Sequence, residues 1–475
     1  PIWKSESDMT IKHHWTIWLV LVILAGSLQF SFALDETSLP GEFKLTILHT
    51  NDLHGHLLPF DYGACKNVGG AARRAGLIQS IKEKSDCPVL VMEAGDVFNR
   101  GPLGQEYFGE PDFAVMNALG CDVMTIGNNE FKGDRGFAGQ QALRARLQQA
   151  EFPIVCANII EKGSGNPLVA PYTILDVQGL KIGIIGLLAP RVAEYPEAEG
   201  LVISDTIETA REIVPKLAKQ VDVVIALTHI GYNLDLQLAA ELPEIDVIIG
   251  GDSHTWTFRP TSGKKGSRIN PLIVHAGEWG AYLSRLDLVF SPTEDNNYDV
   301  RHFRHQLIPL DNKTPELSAI NQVLEPYLKP LITPLGTLDQ PIPAQQMAKW
   351  TAEAIRSVTG ADIGAHSESG IESGLPGGQV TRLDVLKVYP YYNFVVTVEL
   401  TGKQLLDFIA EVKPAVAGLG QIHPDEMYIL AAEDYLVDSW EEGKQIKIKN
   451  TYGRVSEVVM NYLKSVKSSK VEKQE

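Results

Sequence analysis

The sequence is poor in cysteine, in positive charge and in long apolar runs. Only Cys65, Cys87, Cys121 and Cys156 occur in 475 residues. None has CxxC spacing, which argues against a thiolate zinc site. An even count suits two disulfides in an oxidising compartment, with the pairing left open. Lys and Arg number 42 against 59 Asp and Glu, a net charge of −17. No basic patch offsets it beyond the short, mixed tail Lys444–Lys473. Such a surface repels a phosphate backbone, so nucleic acid is excluded as a partner. The 41 Gly and 27 Pro are too few and too aperiodic for a collagenous or low-complexity chain.

The longest apolar run, Trp15–Leu28, falls short of the ~20 residues a membrane span needs. Met9, Lys12, His13 and His14 precede it and Ser31-Phe32-Ala33 closes it, the order of a secretory signal peptide. Residues 1–33 therefore read as leader and signal. The tail Asn461–Glu475 is polar and lysine-rich, without the hydrophobic end of a lipid-anchor signal. The expectation is a secreted, extracellular protein with no stable membrane anchor.

What the chain does have is a repeating α/β texture. Apolar runs at Leu45–Leu48, Val89–Met92, Val123–Ile126, Ile182–Leu187, Val221–Leu227, Asp246–Ile249 and Leu272–Val274 lack strict alternation, as strands covered on both faces do. Helical stretches, Ala71–Lys84, Phe137–Ala150 and Thr206–Lys219, lie between them. This predicts an α/β domain over 34–310 with sheets flanked by helices. A proline-rich linker, 311–343, holds a short helix at Glu316–Tyr327. A smaller α+β domain follows over 344–475, with a helix at Met347–Thr359, a strand pair around Val395–Leu400 and a helix at Gln404–Val412.

Polar residues gather where the first domain's strands end: Asn51-Asp52-Leu53-His54, Glu93-Ala94-Gly95-Asp96, Gly127-Asn128-Asn129-Glu130, Thr228-His229 and Gly250-Gly251-Asp252-Ser253-His254. Ligand sites of α/β sheets lie at the carboxyl ends of strands. Asp52, His54, Asp96, Asn128, His229, Asp252 and His254 are the carboxylate, imidazole and amide donors that divalent ions take. Asp52 and His54 are two apart in an extended segment, so both face the same way. A carboxylate such as Asp96 can bridge two ions, and such a pair clamps a phosphoryl group and activates water.

These motifs occur in the order of the calcineurin-like metallophosphoesterases. The chain more closely resembles the secreted 5′-nucleotidase family, which includes the salivary apyrases of blood-feeding arthropods. The likeness runs through Ile47–Gly55, Gly69–Arg73, Gly95-Asp96, Gly127–Phe131, Thr228–Gly231, Gly250–Thr255, Ala276–Gly280 and Val398–Gly402. It implies a metallophosphoesterase domain with two divalent ions (Zn, Mn, Ca or Mg), a C-terminal domain that binds the nucleoside, and hydrolysis of extracellular nucleotides.

Against that pattern the chain carries several substitutions. Where the family writes GNHEFD, Asn129 and Lys132 replace the His and Asp of the catalytic dyad, and Asn cannot shuttle a proton. Asp252 stands for the metal-binding His of GGHS, with His254 two residues on, so the two positions exchange roles and one ion is held less well. Glu372 stands where the family's Arg reads phosphate. Tyr391 replaces the base-stacking Phe of PFGN and can still stack. Together these favour a degraded phosphohydrolase, weak or inactive, that acts by binding nucleotides or an unknown protein ligand; inhibition of platelet aggregation follows from salivary relatives by analogy. The alternative is an active metal-dependent 5′-nucleotidase or apyrase acting on ATP, ADP or AMP.

Overall fold

The computed structural model describes residues 41–132, 139–265, 268–293, 298–440 and 445–471. The expected leader and signal segment, 1–33, lies outside the described residues.

The uninterrupted apolar runs form the middle of two six-stranded sheets. In the first, Phe43–Thr50 runs parallel to Val89–Glu93, which is followed outward by Val123–Thr125 and Ile154–Val155. In the second, Val223–His229 lies between Leu180–Leu188 and Val247–Gly250, all parallel, with Arg268–His275 beyond. The sheets face each other. Leu45, Ile47, Leu90 and Met92 of one share a buried cluster with Ile182, Ile184, Val223, Ile225 and Val247 of the other. Residues of the opposite parity, Ile185, Leu187, Val224 and Ala226, pack with Ile207, Ala210, Val214 and Leu238 of the helices Thr206–Leu217 and Tyr232–Glu241. Both faces of the strands are thus covered, which is why their sequences do not alternate. Truncating Ile225, fully buried in this seam, to Ala should cost ~2–5 kcal/mol.

Parallel pairing brings the carboxyl ends of these strands to one rim. Thr50, Glu93, Leu188, His229 and Gly250 each close a strand there. Two long strands that periodicity did not single out, Tyr282–Pro292 and Tyr298–Pro309, extend the first sheet antiparallel. The outermost carries exposed Arg301, His302 and Arg304, and this solvent-facing edge lacks the apolar signature of a covered strand.

The smaller C-terminal domain is built on a five-stranded sheet in the order Ala415–Ala417, Ile363–His366, Met427–Glu433, Phe394–Thr401, Ile448–Arg454. The strand pair expected around Val395–Leu400 is instead one strand, Phe394–Thr401, whose partners on both sides come from the distant Met427–Glu433 and Ile448–Arg454. The next helix, Gly402–Val412, starts at a reciprocal cap between Thr401 and Gln404. The helix Ser318–Leu331 packs on the N-terminal helices Ala71–Lys84 and Glu110–Leu119.

The two domains share a buried cluster that includes Leu57, Ala71, Leu103 and Val115 on one side and Met347, Ala354, Tyr389 and Val459 on the other. The segment 104–106 is stitched across this seam: Tyr392 Oη donates to Gly104 O at 3.1 Å, Gln105 Nε2 to Tyr389 O at 2.7 Å, and Arg382 pairs with Glu106 at 2.8 Å.

The disulfides expected from the even cysteine count do not form; all four cysteines are free. Core packing and local hydrogen bonding decide their places. Cys121 and Cys156 pack into an apolar cluster with Met124, Ile126 and Phe131, while Cys87 Sγ contacts the Ser85 and Thr46 hydroxyls. Among the described residues no helix is long and apolar enough to cross a membrane.

Candidate metal centre

The rim loops converge through short backbone bonds. Asp52 N donates to Gly95 O, and His54 N to Asp96 O, both at 2.9 Å. Glu130 ties three loop amides: its carboxylate accepts from Asp96 N at 2.9 Å, Val97 N at 2.7 Å and Gly127 N at 2.6 Å. A Cβ at Gly127 would lie 2.3 Å from Asp96 N, and one at Gly251 2.8 Å from both Ala94 O and His229 Nδ1. Only glycine lets these loops approach so closely.

Asp52 and His54 do share a side, but not through an extended backbone. Their φ values are 52° and 48°, and Asp96 (56°), Asp252 (81°) and His254 (51°) are left-handed too. Non-glycine residues in this region carry roughly 1–3 kcal/mol of strain each, which the surrounding bonds must hold. Strain at five of the seven expected ligands marks a site selected for geometry rather than stability.

The donor atoms meet in two groups joined by Asp52. In one, Asp52, His54 and His254 offer ligand atoms within 4.8 Å of one another; in the other, Asp52, Asp96 and His229 do so. His54 Nε2 and His254 Nε2 face each other at 3.1 Å, and His254 Nε2 is 3.5 Å from Asp52 Oδ1. His229 Nε2 lies 3.2 Å from Asp96 Oδ1 and 3.7 Å from Asp252 Oδ1. The rings are oriented from behind. His229 Nδ1 bonds Ala94 O at 2.7 Å, and His254 Nδ1 bonds Glu278 at 2.6 Å. In the neutral tautomer with the proton on Nδ1, each Nε2 would present its lone pair to the shared space. His229 Nε2, buried, has no hydrogen-bond partner of its own.

The electrostatics reflect how closely carboxylates crowd the rings. Burial opposes charge on His229, but the carboxylates of Asp96 and Asp52 outweigh it and raise its pKa well above the usual imidazole value. Burial lifts Asp52 to about 6 against the pull of His229, and lifts Glu130 to about 7 with help from Asp96. For Asp96 burial is again the largest influence, but His229 and His54 reverse it and hold the carboxyl below its ordinary range. Lone pairs and carboxylates aimed at one buried volume are what divalent ions satisfy, so these residues fit a dinuclear centre.

Asn129, Lys132 and Asp252 fall at the same rim. Asn129 donates from its backbone and its amide to Asp96 at 2.7 and 2.5 Å, and its Oδ1 accepts from Asn99 at 3.2 Å. It orients the ligand it cannot protonate. Lys132 Nζ lies 5.5 Å from the centre of the Tyr195 ring, and burial lowers its pKa. Asp252 is held by both guanidinium nitrogens of Arg191, one of them at 2.8 Å, and Arg191 Nη2 also donates to Asn128 Oδ1 at 3.1 Å. Across the seam Tyr391 is 44% exposed, 5.8 Å from the Arg100 guanidinium. Solvent reaches Glu372, yet desolvation by the surrounding protein still raises it to about 7, with Arg100 opposing. Near neutral pH it carries only part of the charge expected of a carboxylate.

Residues to which the sequence assigned no role complete the site: Glu278 and Ala94 behind the histidines, and Arg191 over Asp252. Arg191 follows the strand Leu180–Leu188, another strand end on the same rim, so strand-end position was the available signal. His275 bonds the buried Asp235 at 2.7 Å.

Comparison with known proteins agrees with this geometry. Residues 45–256 match the calcineurin-like phosphoesterase family and 334–423 the C-terminal domain of 5′-nucleotidases. A 5′-nucleotidase of Vibrio cholerae is 30% identical over 476 residues, 86% of this chain and 83% of that protein. Protein UshA of Escherichia coli is 28% identical over 501 residues, covering 91% and 87%. The crystal structure of a 5′-nucleotidase precursor from Thermus thermophilus superimposes with a TM-score of 0.70 at 26% identity, over 90% of this chain and 97% of that one. With both domains matched and a relative 30% identical over most of both chains, the chain belongs to the 5′-nucleotidase family.

Proposed function

We propose that this chain is a metal-dependent phosphohydrolase of extracellular nucleotides, slower than a relative that keeps the His–Asp dyad. The observation that carries this is the convergence of donor atoms on Asp52 from both sides. Asp52, His54, His254, Asp96, Asn128, His229 and Asp252 would hold divalent ions, which when bound would supply Lewis-acid polarisation and make hydroxide available near neutral pH. The chain's own residues position the rest. Ala94 O and Glu278 fix the imidazoles, Asn129 aims Asp96, and Tyr391 offers a face on which a nucleobase stacks. The missing dyad removes a proton-handling contribution worth roughly 10²–10⁴ in rate. Secretion is supported by the signal-like N-terminus, and nucleotides as substrates by the family.

The second reading is a nucleotide- or protein-binding protein without turnover, of which an antihaemostatic role is one form. Two observations favour it: Asn129 commits its amide to Asp96 and Asn99, and Arg191 occupies Asp252 and Asn128. Phosphate release from AMP, ADP and ATP, measured with Mn²⁺ and with EDTA, separates the two. EDTA-sensitive release supports the hydrolase. Tight nucleotide binding by metal-replete protein without any release overturns it in favour of the binder.

A further inference from the structure

Two imidazoles of the centre are oriented by different means. His229 leans on a main-chain carbonyl, Ala94 O, at a strand end. His254 leans on a side chain, Glu278, whose Oε2 lies 2.6 Å from its Nδ1. A carboxylate on a flexible stem fixes a ring only when its other oxygen is held as well. Here it is held: Tyr62 Oη donates to Glu278 Oε1 at 2.8 Å. Tyr62 belongs to none of the strand-end motifs. It lies in a short hairpin, Phe60–Tyr62 paired with Cys65–Val68, 216 positions from Glu278.

Both ends of this relay are locked. The segment that carries Glu278 is tied to the first metal loop. Trp279 N donates to Asp52 O at 2.7 Å, Asn51 Nδ2 to Gly277 O at 2.6 Å, and Ala276 N to Asn51 Oδ1 at 2.7 Å. The Tyr62 ring stands edge-on to Trp279, with centroids 5.3 Å apart, and to Trp256, at 6.2 Å. Trp279 in turn stacks on His56 at 4.4 Å. The other strand of the hairpin is anchored where Arg73 Nη1 donates to Asn67 O at 2.6 Å. Packing accounts for an aromatic ring at position 62, since phenylalanine would fill the same space. It does not account for the hydroxyl. Among the described residues that hydroxyl bonds only the carboxylate that also meets His254.

We propose that Tyr62 is a positioning residue for the metal centre: through Glu278 it holds the His254 ring with Nε2 turned toward Asp52 and His54. This rests on the reading that Asp52, His54 and His254 take a divalent ion, and adds what keeps that group in shape. The other group, Asp52, Asp96 and His229, is oriented without the hairpin. Loss of the Tyr62 hydroxyl therefore weakens one ion site and spares the other.

The test titrates the metal-free full chain with Mn²⁺ calorimetrically, as wild type and as the variants Tyr62→Phe and Glu278→Gln. Phenylalanine keeps the ring and removes only the hydroxyl. Tyr62→Phe is expected to weaken one binding step about threefold, the net effect of one lost hydrogen bond. Glu278→Gln should weaken the same step about tenfold or more, and the other step should stay constant in both. A second readout is the His254 Nδ1 proton in Zn²⁺-loaded protein with ¹⁵N-labelled histidine, identified by its absence from His254→Gln. Its resonance should move in Tyr62→Phe, whereas a ring that serves only packing leaves it in place. Unchanged Mn²⁺ affinity with an unmoved proton overturns the proposal, as does equal weakening of both steps. One step weakened in a protein that releases no phosphate from nucleotides upholds this inference and rejects the hydrolase. EDTA-sensitive release, with both Mn²⁺ steps and the His254 proton unchanged in Tyr62→Phe, does the reverse.

Discussion

The two sides of the cleft hold their residues in different ways. On the metal side each candidate position is fixed by a neighbour. Asp252 comes with His254 beside Asp52 and with Arg191 on its carboxylate, and Asn129 keeps two hydrogen bonds to Asp96. On the C-terminal side Tyr391 stands open to solvent, and Glu372 has no cation closing on it as an ion pair among the described residues. The contrast shows where geometry is demanding. Ligand atoms must agree within tenths of an ångström, whereas a stacking face tolerates drift.

The largest test of this contrast is Asp96→Ala. Asp96 joins the His229 group and lies against His54. Its loss should lower phosphate release on the order of 10³-fold or more, and bound metal, measured by elemental analysis, should fall with it. Next is the double change Asn129→His with Lys132→Asp. If the metal side is otherwise intact, restoring the dyad should raise kcat by about 10², read in steady-state kinetics with AMP; no gain would place the defect on the C-terminal side. A smaller effect is expected for Arg191→Ala. Freeing Asp252 and Asn128 from a partly exposed pair should tighten the weaker metal step about fivefold in a Mn²⁺ titration.

The smallest effect concerns stability. Burial raises Glu93 to about 8, against the hydrogen bond from Thr50. Folding therefore retains a proton that the unfolded chain loses at ordinary carboxylate pH. That contribution is full at low pH and disappears as pH rises through about 8. Glu93→Gln, neutral throughout, should remove the dependence. Its Tm relative to wild type should climb by roughly 5 °C between about pH 5 and about pH 9.

Much of this architecture was legible before the structure. The apolar runs located the covered strands because two-sided burial suppresses alternation, and the helix Ala71–Lys84 occurs where its pattern placed it. The strand-end motifs located the clustered donors because parallel sheets bring those ends together. The edge strands were less visible, since a solvent-facing edge needs no apolar pattern. The cysteine count misled because pairing depends on where packing puts each thiol. The reason given for Asp52 and His54 was also wrong. Side-chain parity in an extended strand predicts a shared face, but the loop achieves it with left-handed residues held by bonds to Gly95 and Asp96.

Residue types and their order by themselves determined the covered sheets, the two-domain plan and the inventory of donors, because local periodicity and strand polarity are written in the chain. Tertiary structure alone decided that His254 meets His54, that Arg191 closes on Asp252, and that Arg100 stands under Tyr391. These contacts join residues up to hundreds of positions apart. Their energies depend on distance, burial and the orientation of rings and forks, none of which spacing along the chain encodes.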